Sequence, residues 1–415
     1  MRALFGLSLL SVAFAIRPGF PYGSTKVRGV NLGGWLVLEP WITPSIFDNT
    51  GDPNIVDEWT FGERQPKEIA KATLTKHWDT FITEADFAAI KAAGLNHVRL
   101  PIGYWAFEVG PGEPYISGQL PYLSKAIQWA TNQGLKLIID LHGAPGSQNG
   151  YDNSGRRIPY PTWHTNNTNV QRTSNVIKTI ANMVKDNTAN VPIIEALNEP
   201  AGYFGPDVLA VTRQYWYDSF GNVRYPYGSS RQSDTVLMIH DAFQPLSYWN
   251  GVLTYPAYEG VAMDTHIYTI FNVTEVQMSQ QEHINLVCSK RNSLATFNLW
   301  TIVGEWTPAM TDCAKYINGR GRGARYDGTH PDTSTRVGSC NGWSGSASTF
   351  SSSYKTFLRK FWEAQVSSYE QGQGWIQWTW KTEAGAAEEW SYKSGLANGW
   401  IPSDPANRIY PNVCG

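Results

Sequence analysis

Residues 192–200 read Pro192-Ile193-Ile194-Glu195-Ala196-Leu197-Asn198-Glu199-Pro200, a short apolar run that becomes polar at its end. A run of this length is typical of a buried strand. Seven comparable runs occur in the 415-residue chain, at residues 27–38, 96–102, 135–141, 235–240, 261–267, 300–303 and 375–380. The sequence therefore predicts eight buried strands, each followed by polar or aromatic side chains.

Helical patterns lie between several of these strands, at residues 83–93, 122–133, 169–186 and 349–370. Thr83 and Asp86 have the spacing of a capping box, and Gly94 and Gly134 fall where helices commonly stop. Strands that alternate with helices indicate a parallel sheet, and eight is the strand number of a closed barrel. We predict an α/β chain with one (β/α)8 TIM barrel and elaborated βα loops.

An open doubly wound sheet is the alternative to the barrel. Sheets of that kind carry a spaced glycine fingerprint for phosphate after the first strand. Here Gly33 and Gly34 are adjacent and do not fit that spacing. The barrel is therefore favoured.

Composition narrows the classes of function. A net charge of -2 and a pI near 6.5 give no electrostatic signature of a nucleic-acid or anionic-membrane partner. The 18 Trp and 21 Tyr residues carry flat apolar faces and polar edges, which suit the C–H faces and hydroxyl rims of sugars. The aromatic content favours a carbohydrate cleft, although an aromatic-rich core would also account for it.

The N-terminus is typical of a signal peptide. Arg2 precedes an apolar stretch at residues 3–12 and the small-residue cleavage pattern Ala13-Phe14-Ala15. No later stretch reaches the roughly 18 to 20 apolar residues of a spanning helix. We expect a signal peptide at residues 1–15, a single catalytic domain at residues 16–415, and a secreted monomer that is extracellular or in the cell wall.

The four cysteines and two sequons fit secretion. An even number of cysteines in an oxidising compartment usually forms disulfides, and four allow three pairings. We favour Cys313–Cys340, which closes a long loop, and Cys288–Cys414, which ties down the C-terminal tail. Asn166 and Asn272 begin N-x-Thr triplets and are candidate glycosylation sites.

Active sites of barrels lie at the carboxyl ends of the strands. In this chain nearly every predicted strand ends in a polar or aromatic group. One such residue would be unremarkable, but a series of them predicts a functional mouth. In chain order these residues are Asn31, Glu39, Arg99, His142, Asn198, Glu199, His240, Asp241, His266, Tyr268, Glu305 and Trp380.

Glu199 and Glu305 end the fourth and seventh strands, which face each other across a barrel. Two such carboxyl groups are what glycoside hydrolysis requires, one as acid/base and one as nucleophile. We expect its environment to keep Glu199 protonated, and Arg99 to hold Glu305 ionised. Asn198 could bind a sugar 2-hydroxyl, while His266 and Tyr268 would orient the glutamates. No metal or organic cofactor is expected, because no helix carries a His pair spaced for zinc.

Seven motifs together resemble fungal exo-β-1,3-glucanases, a branch of glycoside hydrolase family 5. The resemblance runs from about residue 26 to the C-terminus. Asn198-Glu199-Pro200 marks only the wider clan of retaining barrel glycosidases, whereas its combination with the long segment around His142 is specific to this branch. The matching stretches are residues 29–40, 98–103, 140–150, 197–200, 266–268, 304–306 and 378–381.

The resemblance implies a role for each matching residue. Glu199 matches the acid/base and Glu305 the nucleophile. Arg99, His142, Asn198, His266 and Tyr268 match residues that line the catalytic subsite, and Trp380 matches its aromatic floor. The positions that close the cavity behind the terminal glucose are matched by Glu39, Asp152 and Asn153.

Tyr151 and Phe271 match an aromatic pair that clamps the sugar at the entrance. The family usually has Phe at the place of Tyr151, so the extra hydroxyl could alter linkage preference or transfer to sugar acceptors. The resemblance implies a retaining enzyme that releases β-glucose from the non-reducing ends of β-1,3-glucan. An endo-acting β-glucanase or a glucanosyl transferase of the same family is the alternative. A non-catalytic carbohydrate-binding protein would be expected to lack one of the glutamates or their supports.

Overall fold

The computed structural model describes residues 16–415, so the expected signal peptide at residues 1–15 lies outside it. Eight parallel strands pair in chain order and close when β1 pairs with β8. The predicted (β/α)8 barrel is therefore confirmed, and the open sheet is excluded. The strands are β1 Val27–Asn31, β2 His97–Gly103, β3 Lys136–Gly143, β4 Ile193–Glu195, β5 Val236–His240, β6 Val261–Ile267, β7 Trp300–Trp306 and β8 Gly374–Gln377.

Helices cover the outside of the barrel and occupy all but one of the strand connections. Between β5 and β6, residues 241–260 contain only the short 3-10 helix Leu246–Trp249. The α-helices are α1 Pro44–Asp48, α2 Glu58–Glu63, α3 Lys67–Thr80, α4 Glu84–Ala92, α5 Leu120–Gln133, α6 Asn167–Val184, α7 Pro206–Arg224, α8 Val273–Val276, α9 Gln280–Ser289, α10 Arg291–Thr296, α11 Ser352–Tyr369 and α12 Tyr392–Asn398.

Local signals fixed several of these boundaries. Thr83 and Asp86 form the predicted capping box of α4. Gly134 has the left-handed conformation that ends α5, with φ of 63°. The first strand is shorter than predicted, because the chain turns away after Asn31. Gly34 has φ of 69° at that turn, and a Cβ there would lie 2.6 Å from Ile42.

The barrel interior changes character along its axis. In its lower part, most strands contribute at least one apolar side chain. Phe20 and Tyr22, from the segment before β1, pack against these side chains. Two residues further along β4, the side chain changes from Ile193 to Glu195. Because strand side chains alternate, both point to the same side of the sheet. The part of the interior nearest the carboxyl ends of the strands is therefore polar.

Both favoured disulfides are present. Cys288–Cys414 joins the end of α9 to the C-terminal tail, with 5.3 Å between the Cα atoms. Cys313–Cys340 closes part of the long loop between β7 and α11. Across residues 16–415, no helix combines the length and the apolar character needed to cross a bilayer. Asn166 and Asn272 are exposed helix N-caps, and their glycosylation stays a prediction.

Candidate active site

A cavity of about 630 Å³ opens at the carboxyl ends of the strands. Its volume is in the range of small-molecule sites. Glu199 and Glu305, called the glutamate pair below, both line it. The other predicted site residues on its wall are Glu39, Tyr151, Asp152, Asn153, Tyr268 and Phe271.

Glu305 lies near the end of β7 and is held by two donors. Arg99 Nη1 donates to its Oε1 over 3.0 Å, and the Tyr268 hydroxyl donates to its Oε2 over 2.9 Å. Arg99 is completely buried, and Tyr268 follows β6, the neighbouring strand. Glu305 is therefore held by donors that come from two different segments, β2 and the residue directly after β6.

Glu199 lies two residues beyond Leu197, after the end of β4. Its φ of 47° is left-handed, which is unusual for a glutamate and is typical of strained functional positions. His266 Nδ1 lies 2.7 Å from Oε1, and Asn153 Nδ2 donates to Oε2 over 3.1 Å. Both carboxylate oxygens of Glu199 are thus engaged.

One nitrogen of His266 links the glutamate pair. His266 Nδ1 is 2.7 Å from Glu199 Oε1 and 3.5 Å from Glu305 Oε2. The two oxygens can therefore be no further apart than the sum of these distances, 6.2 Å. Glu199, which follows β4, and Glu305, in β7, therefore meet at a single imidazole from β6, although β5 and β6 separate their strands.

The protonation of Glu199 differs from the sequence-based expectation. Burial raises its pKa, but the hydrogen bond and the charge of His266 outweigh burial and lower the pKa to about 2. Burial lowers the pKa of His266, and the carboxylates of Glu305 and Asp264 reverse this and raise it well above its usual value. These two shifts favour the proton on His266 rather than on Glu199, contrary to the expectation that its environment keeps Glu199 protonated.

Glu305 also departs from expectation. Burial raises its pKa above the usual value, and the Glu199 charge adds to this, while His266 and Arg99 oppose both. The predicted contact between Arg99 and Glu305 is present. The charge of Arg99 offsets only part of the effect of burial. The pKa of Glu305 therefore stays above its ordinary value.

Arg99 is the centre of a buried network inside the barrel. Its Nε donates to Glu195 Oε2 over 2.6 Å, and its Nη2 lies 3.2 Å from Asp140 and 3.7 Å from Asp264. Asp264 Oδ2 also contacts His266 Nε2 at 3.2 Å. These three acids were not predicted as site residues, because they lie inside the predicted apolar runs rather than at the ends of those runs.

Asn198 and His142 lie beneath the cavity and are fully buried. Asn198 Oδ1 accepts from Arg99 Nη2 over 2.8 Å, while its Nδ2 finds no partner among the described residues. His142 Nδ1 contacts Asp140 at 2.6 Å, and its ring stacks on Trp378 with 5.5 Å between centroids. Asn198 thus keeps one donor available to a ligand.

Glu39 and Asp152 place two further carboxyl groups on the cavity wall. Glu39 Oε2 accepts from Trp41 Nε1 over 2.9 Å, but its Oε1 has no partner among the described residues, and the same is true of Asp152 Oδ2. Burial raises the pKa of Asp152 to about 7 and that of Glu39 well above its usual value. Both oxygens are suited to accept hydrogen bonds from hydroxyl groups.

Tyr151 and Phe271 stand at the entrance, and both are exposed. Tyr151 follows β3 and Phe271 follows β6, so they reach the cavity from different sides of the barrel. The Tyr151 hydroxyl accepts a hydrogen bond from the Tyr203 hydroxyl over 2.7 Å. The ring of Phe271 packs edge-on against Tyr268.

Trp380 is not the aromatic floor of the cavity. It is 1% exposed, its Nε1 donates to Asp86 Oδ1 over 3.0 Å, and it faces α4 rather than the cavity. Trp378, two residues earlier in the same motif, lines the cavity instead. The prediction for Trp380 was wrong because β8 ends at Gln377, so the residue nearest the mouth comes sooner than expected.

Loops supply most of the wall residues that sequence analysis missed. Trp41 and Trp390 line the cavity and pack on each other, with 4.7 Å between centroids. The long segment after β7 contributes two cationic side chains, Arg322 and Arg325, together with His330. No strand or helix period marks these positions, so no signal in the sequence identified them.

The described residues contain two groups of potential metal ligands, and both include His266. They are Glu199, His240 and His266, and Glu195, Asp264 and His266. Apart from His240, the donors already contact one another or Arg99 at 2.6 to 3.2 Å. Burial and the charge of His266 lower the pKa of His240 to about 3. We assign no metal to either group, because an ion would have to displace these contacts.

Comparisons with known proteins agree with this geometry. Residues 63–319 match the family described as cellulase, glycosyl hydrolase family 5. The chain is 46% identical over 402 residues to a glucan 1,3-beta-glucosidase of Blumeria graminis, covering 95% of this chain and 91% of the relative. It is 47% identical over 393 residues to a "Probable glucan 1,3-beta-glucosidase A" of Emericella nidulans, covering 94% and 93%.

Solved structures agree at the level of the fold. The crystal structure of rutinosidase from Aspergillus niger superposes with a TM-score of 0.71 at 20% identity, covering 91% of this chain and 98% of that one.

Proposed function

The chain belongs to glycosyl hydrolase family 5, and from this premise we propose that it releases β-glucose from the non-reducing ends of β-1,3-glucan with retention of configuration. The observation that carries the proposal is the glutamate pair, which meets at His266 Nδ1 on the wall of one cavity. The relatives named glucan 1,3-beta-glucosidase support the substrate.

The contacts of the glutamate pair support the two roles. Glu305 accepts from Arg99 and Tyr268, two fixed donors that suit a nucleophilic carboxylate. Glu199 instead lies 2.7 Å from His266, a group that can give up and regain a proton. A general acid and base must do both within one cycle. We therefore assign Glu199 as acid/base and Glu305 as nucleophile.

In the first step, Glu305 attacks the anomeric carbon as the glycosidic bond breaks. The proton on His266 Nδ1 moves to Glu199 Oε1, and Glu199 protonates the leaving oxygen. In the second step Glu199 takes a proton from water, whose oxygen displaces Glu305 from the sugar, and that proton then returns from Glu199 Oε1 to His266 Nδ1. Loss of the Glu305 charge in the intermediate lowers the pKa of the neighbouring carboxyl, which favours this change of role.

The separation of the glutamate pair supports retention. Retaining enzymes hold their carboxyl groups about 5 to 5.5 Å apart, and inverting enzymes about 6.5 to 9.5 Å, to leave room for water. One oxygen of each glutamate lies within 3.5 Å of the same His266 nitrogen, a close approach that suits the shorter separation of a retaining pair.

The polar end of the cavity supports release from a chain end. Glu39 Oε1 and Asp152 Oδ2 are buried acceptors without partners, as a terminal sugar with hydroxyl groups to donate would need. A chain that continued past these groups would leave them unpaired. Secretion is also part of the proposal, and the two disulfides support it.

Digestion of laminarin tests the proposal directly. Free glucose should appear from the first time points, in its β form, without earlier oligosaccharides. Early release of oligosaccharides would instead assign an endo-acting enzyme, and α-glucose as first product would exclude retention. Products longer than the substrate at high laminari-oligosaccharide concentration would assign a glucanosyl transferase.

A further inference from the structure

Four exposed aromatic side chains form a continuous row on the Glu199 side of the cavity. We name Tyr160, Tyr203, Phe204 and Phe243 the aromatic ridge. Their exposed fractions are 71%, 49%, 40% and 38%. They belong to the loops after β3, β4 and β5, three neighbouring strands.

The ring contacts give the ridge an order. Phe243 contacts Tyr203 at 5.5 Å, Tyr203 contacts Phe204 at 5.0 Å, and Phe204 contacts Tyr160 at 5.9 Å between centroids. Phe243 is the inner end, since its ring also packs on His240 beside His266. Phe243, Tyr203 and Phe204 line the cavity, whereas Tyr160 lies outside it. The ridge therefore leads out of the cavity toward solvent.

Exposed contiguous aromatic surface is costly for a soluble protein unless something covers it. The ridge is continuous with the cavity wall on the side of Glu199, the residue assigned to protonate the leaving oxygen. Sugars on the leaving side must pass this wall as they exit. Aromatic faces suit the C–H faces of sugar rings, and four separate rings suit a repeating chain.

We propose that the aromatic ridge is an extended binding site for the leaving-side sugars of a β-glucan chain, beyond the clamp formed by Tyr151 and Phe271. The inference rests on the proposed function, which fixes the direction of the chain. Inner sugars stack on Phe243 and Tyr203, and outer sugars on Phe204 and Tyr160. The ridge thereby favours long chains over short oligosaccharides.

Binding to an inactive enzyme tests the ridge without turnover. Laminari-oligosaccharides of two to six glucose units are titrated into Glu305→Gln by calorimetry. The Kd should fall as the chain lengthens beyond two units, by about two- to tenfold for each ring that is reached. When Phe243→Ala is added to Glu305→Gln, the fall in Kd with chain length should be lost already for the shorter oligosaccharides. When Tyr160→Ala is added instead, the fall in Kd should be lost only for the longest oligosaccharides.

Tyr248→Ala in the same background is the matched control. Tyr248 is a 39% exposed tyrosine from the β5–β6 connection that packs on Trp249 and Arg213 and does not line the cavity. It should leave the dependence on chain length unchanged. Phe204→Tyr should preserve the gain that Phe204→Ala loses.

Three results would overturn the ridge. A Kd that does not change with chain length in Glu305→Gln would exclude it while leaving the proposed function intact. Equal losses from Phe243→Ala and Tyr248→Ala would also exclude it. If no laminari-oligosaccharide of any length binds, the proposed substrate itself is wrong and the ridge falls with it.

Discussion

Around the glutamate pair, the barrel wall and the loop rim hold their side chains in different ways. In the wall, Arg99 is fully buried and lies within 4 Å of four carboxylates. In the rim, Tyr151 and Phe271 are 48% and 39% exposed. Buried charges are costly to separate, whereas exposed aromatics can change with little loss of stability. The wall therefore fixes the chemistry, and the rim is free to determine the substrate.

The largest expected effect is in the wall. Glu305→Gln keeps the size of the side chain but removes the proposed nucleophile, so residual kcat on laminaribiose should fall below about one per cent. Phe271→Ala at the rim should cost only about tenfold in kcat/KM. Circular dichroism and Tm check that both variants fold. Residual activity of Glu305→Gln above about one per cent would show that Glu305 is not the nucleophile. Equal losses of activity in Glu305→Gln and Phe271→Ala would contradict the contrast between wall and rim.

The second prediction concerns the pH dependence of the wall. The carboxylate of Asp264 helps to raise the pKa of His266, so Asp264→Asn should lower that pKa. His266 then loses its proton at lower pH, and the basic limb of the kcat/KM profile should move down by about one pH unit or more. The Asn oxygen can still accept from the Gly304 amide, as Asp264 Oδ1 does over 2.8 Å.

Asp241→Asn is the matched control for this shift. Asp241 directly follows β5, but burial raises its pKa to about 7, and its side chain accepts hydrogen bonds from Thr265 and from the Phe243 amide. The basic limb of this variant should stay closer to that of the wild type. An unmoved limb in Asp264→Asn would show that Asp264 does not control the proton on His266.

The third prediction separates the two tryptophans of one motif. Trp380→Phe should lower the free energy of unfolding by about 1 to 3 kcal/mol, because it removes packing volume and a hydrogen bond to the buried Asp86. Its kcat/KM should change little. Trp378→Phe should lower kcat/KM by about tenfold, because Trp378 lines the cavity. Urea denaturation and steady-state kinetics measure the two effects. A loss of kcat/KM in Trp380→Phe, with a loss of stability alone in Trp378→Phe, would instead assign Trp380 as the floor.

This pair shows where sequence reasoning succeeded and where it stopped. Apolar runs and capping signals predicted eight strands and the barrel, since burial and helix ends leave local patterns. Glu199 and Glu305 were found because each follows a buried strand. The predicted floor residue, Trp380, lies two residues beyond Trp378, the one that lines the cavity. The end of β8 could not be predicted, because it depends on pairing with β7 and β1 rather than on its own sequence.

The rim was predicted less well for a different physical reason. The contact of Tyr203 with Tyr151 joins the loops after β4 and β3, and neither loop has a repeating pattern that could indicate it. The acids around Arg99 were missed because a strand interior is expected to be apolar. Only the assembled barrel shows that Glu195, Asp140 and Asp264 surround one guanidinium group.

The smallest expected effect sharpens the contrast from the side of the rim. Tyr151→Phe and Tyr203→Phe keep both rings but remove the hydroxyl contact of 2.7 Å. An exposed hydrogen bond contributes at the low end of about 0.5 to 1.5 kcal/mol, so the ratio of transfer to hydrolysis on laminaribiose should change about two- to threefold. Because both substitutions break the same bond, the double variant should match either single variant. Additive changes would mean that each hydroxyl contacts the sugar separately, and that the rim is set by individual contacts rather than by a coupled pair.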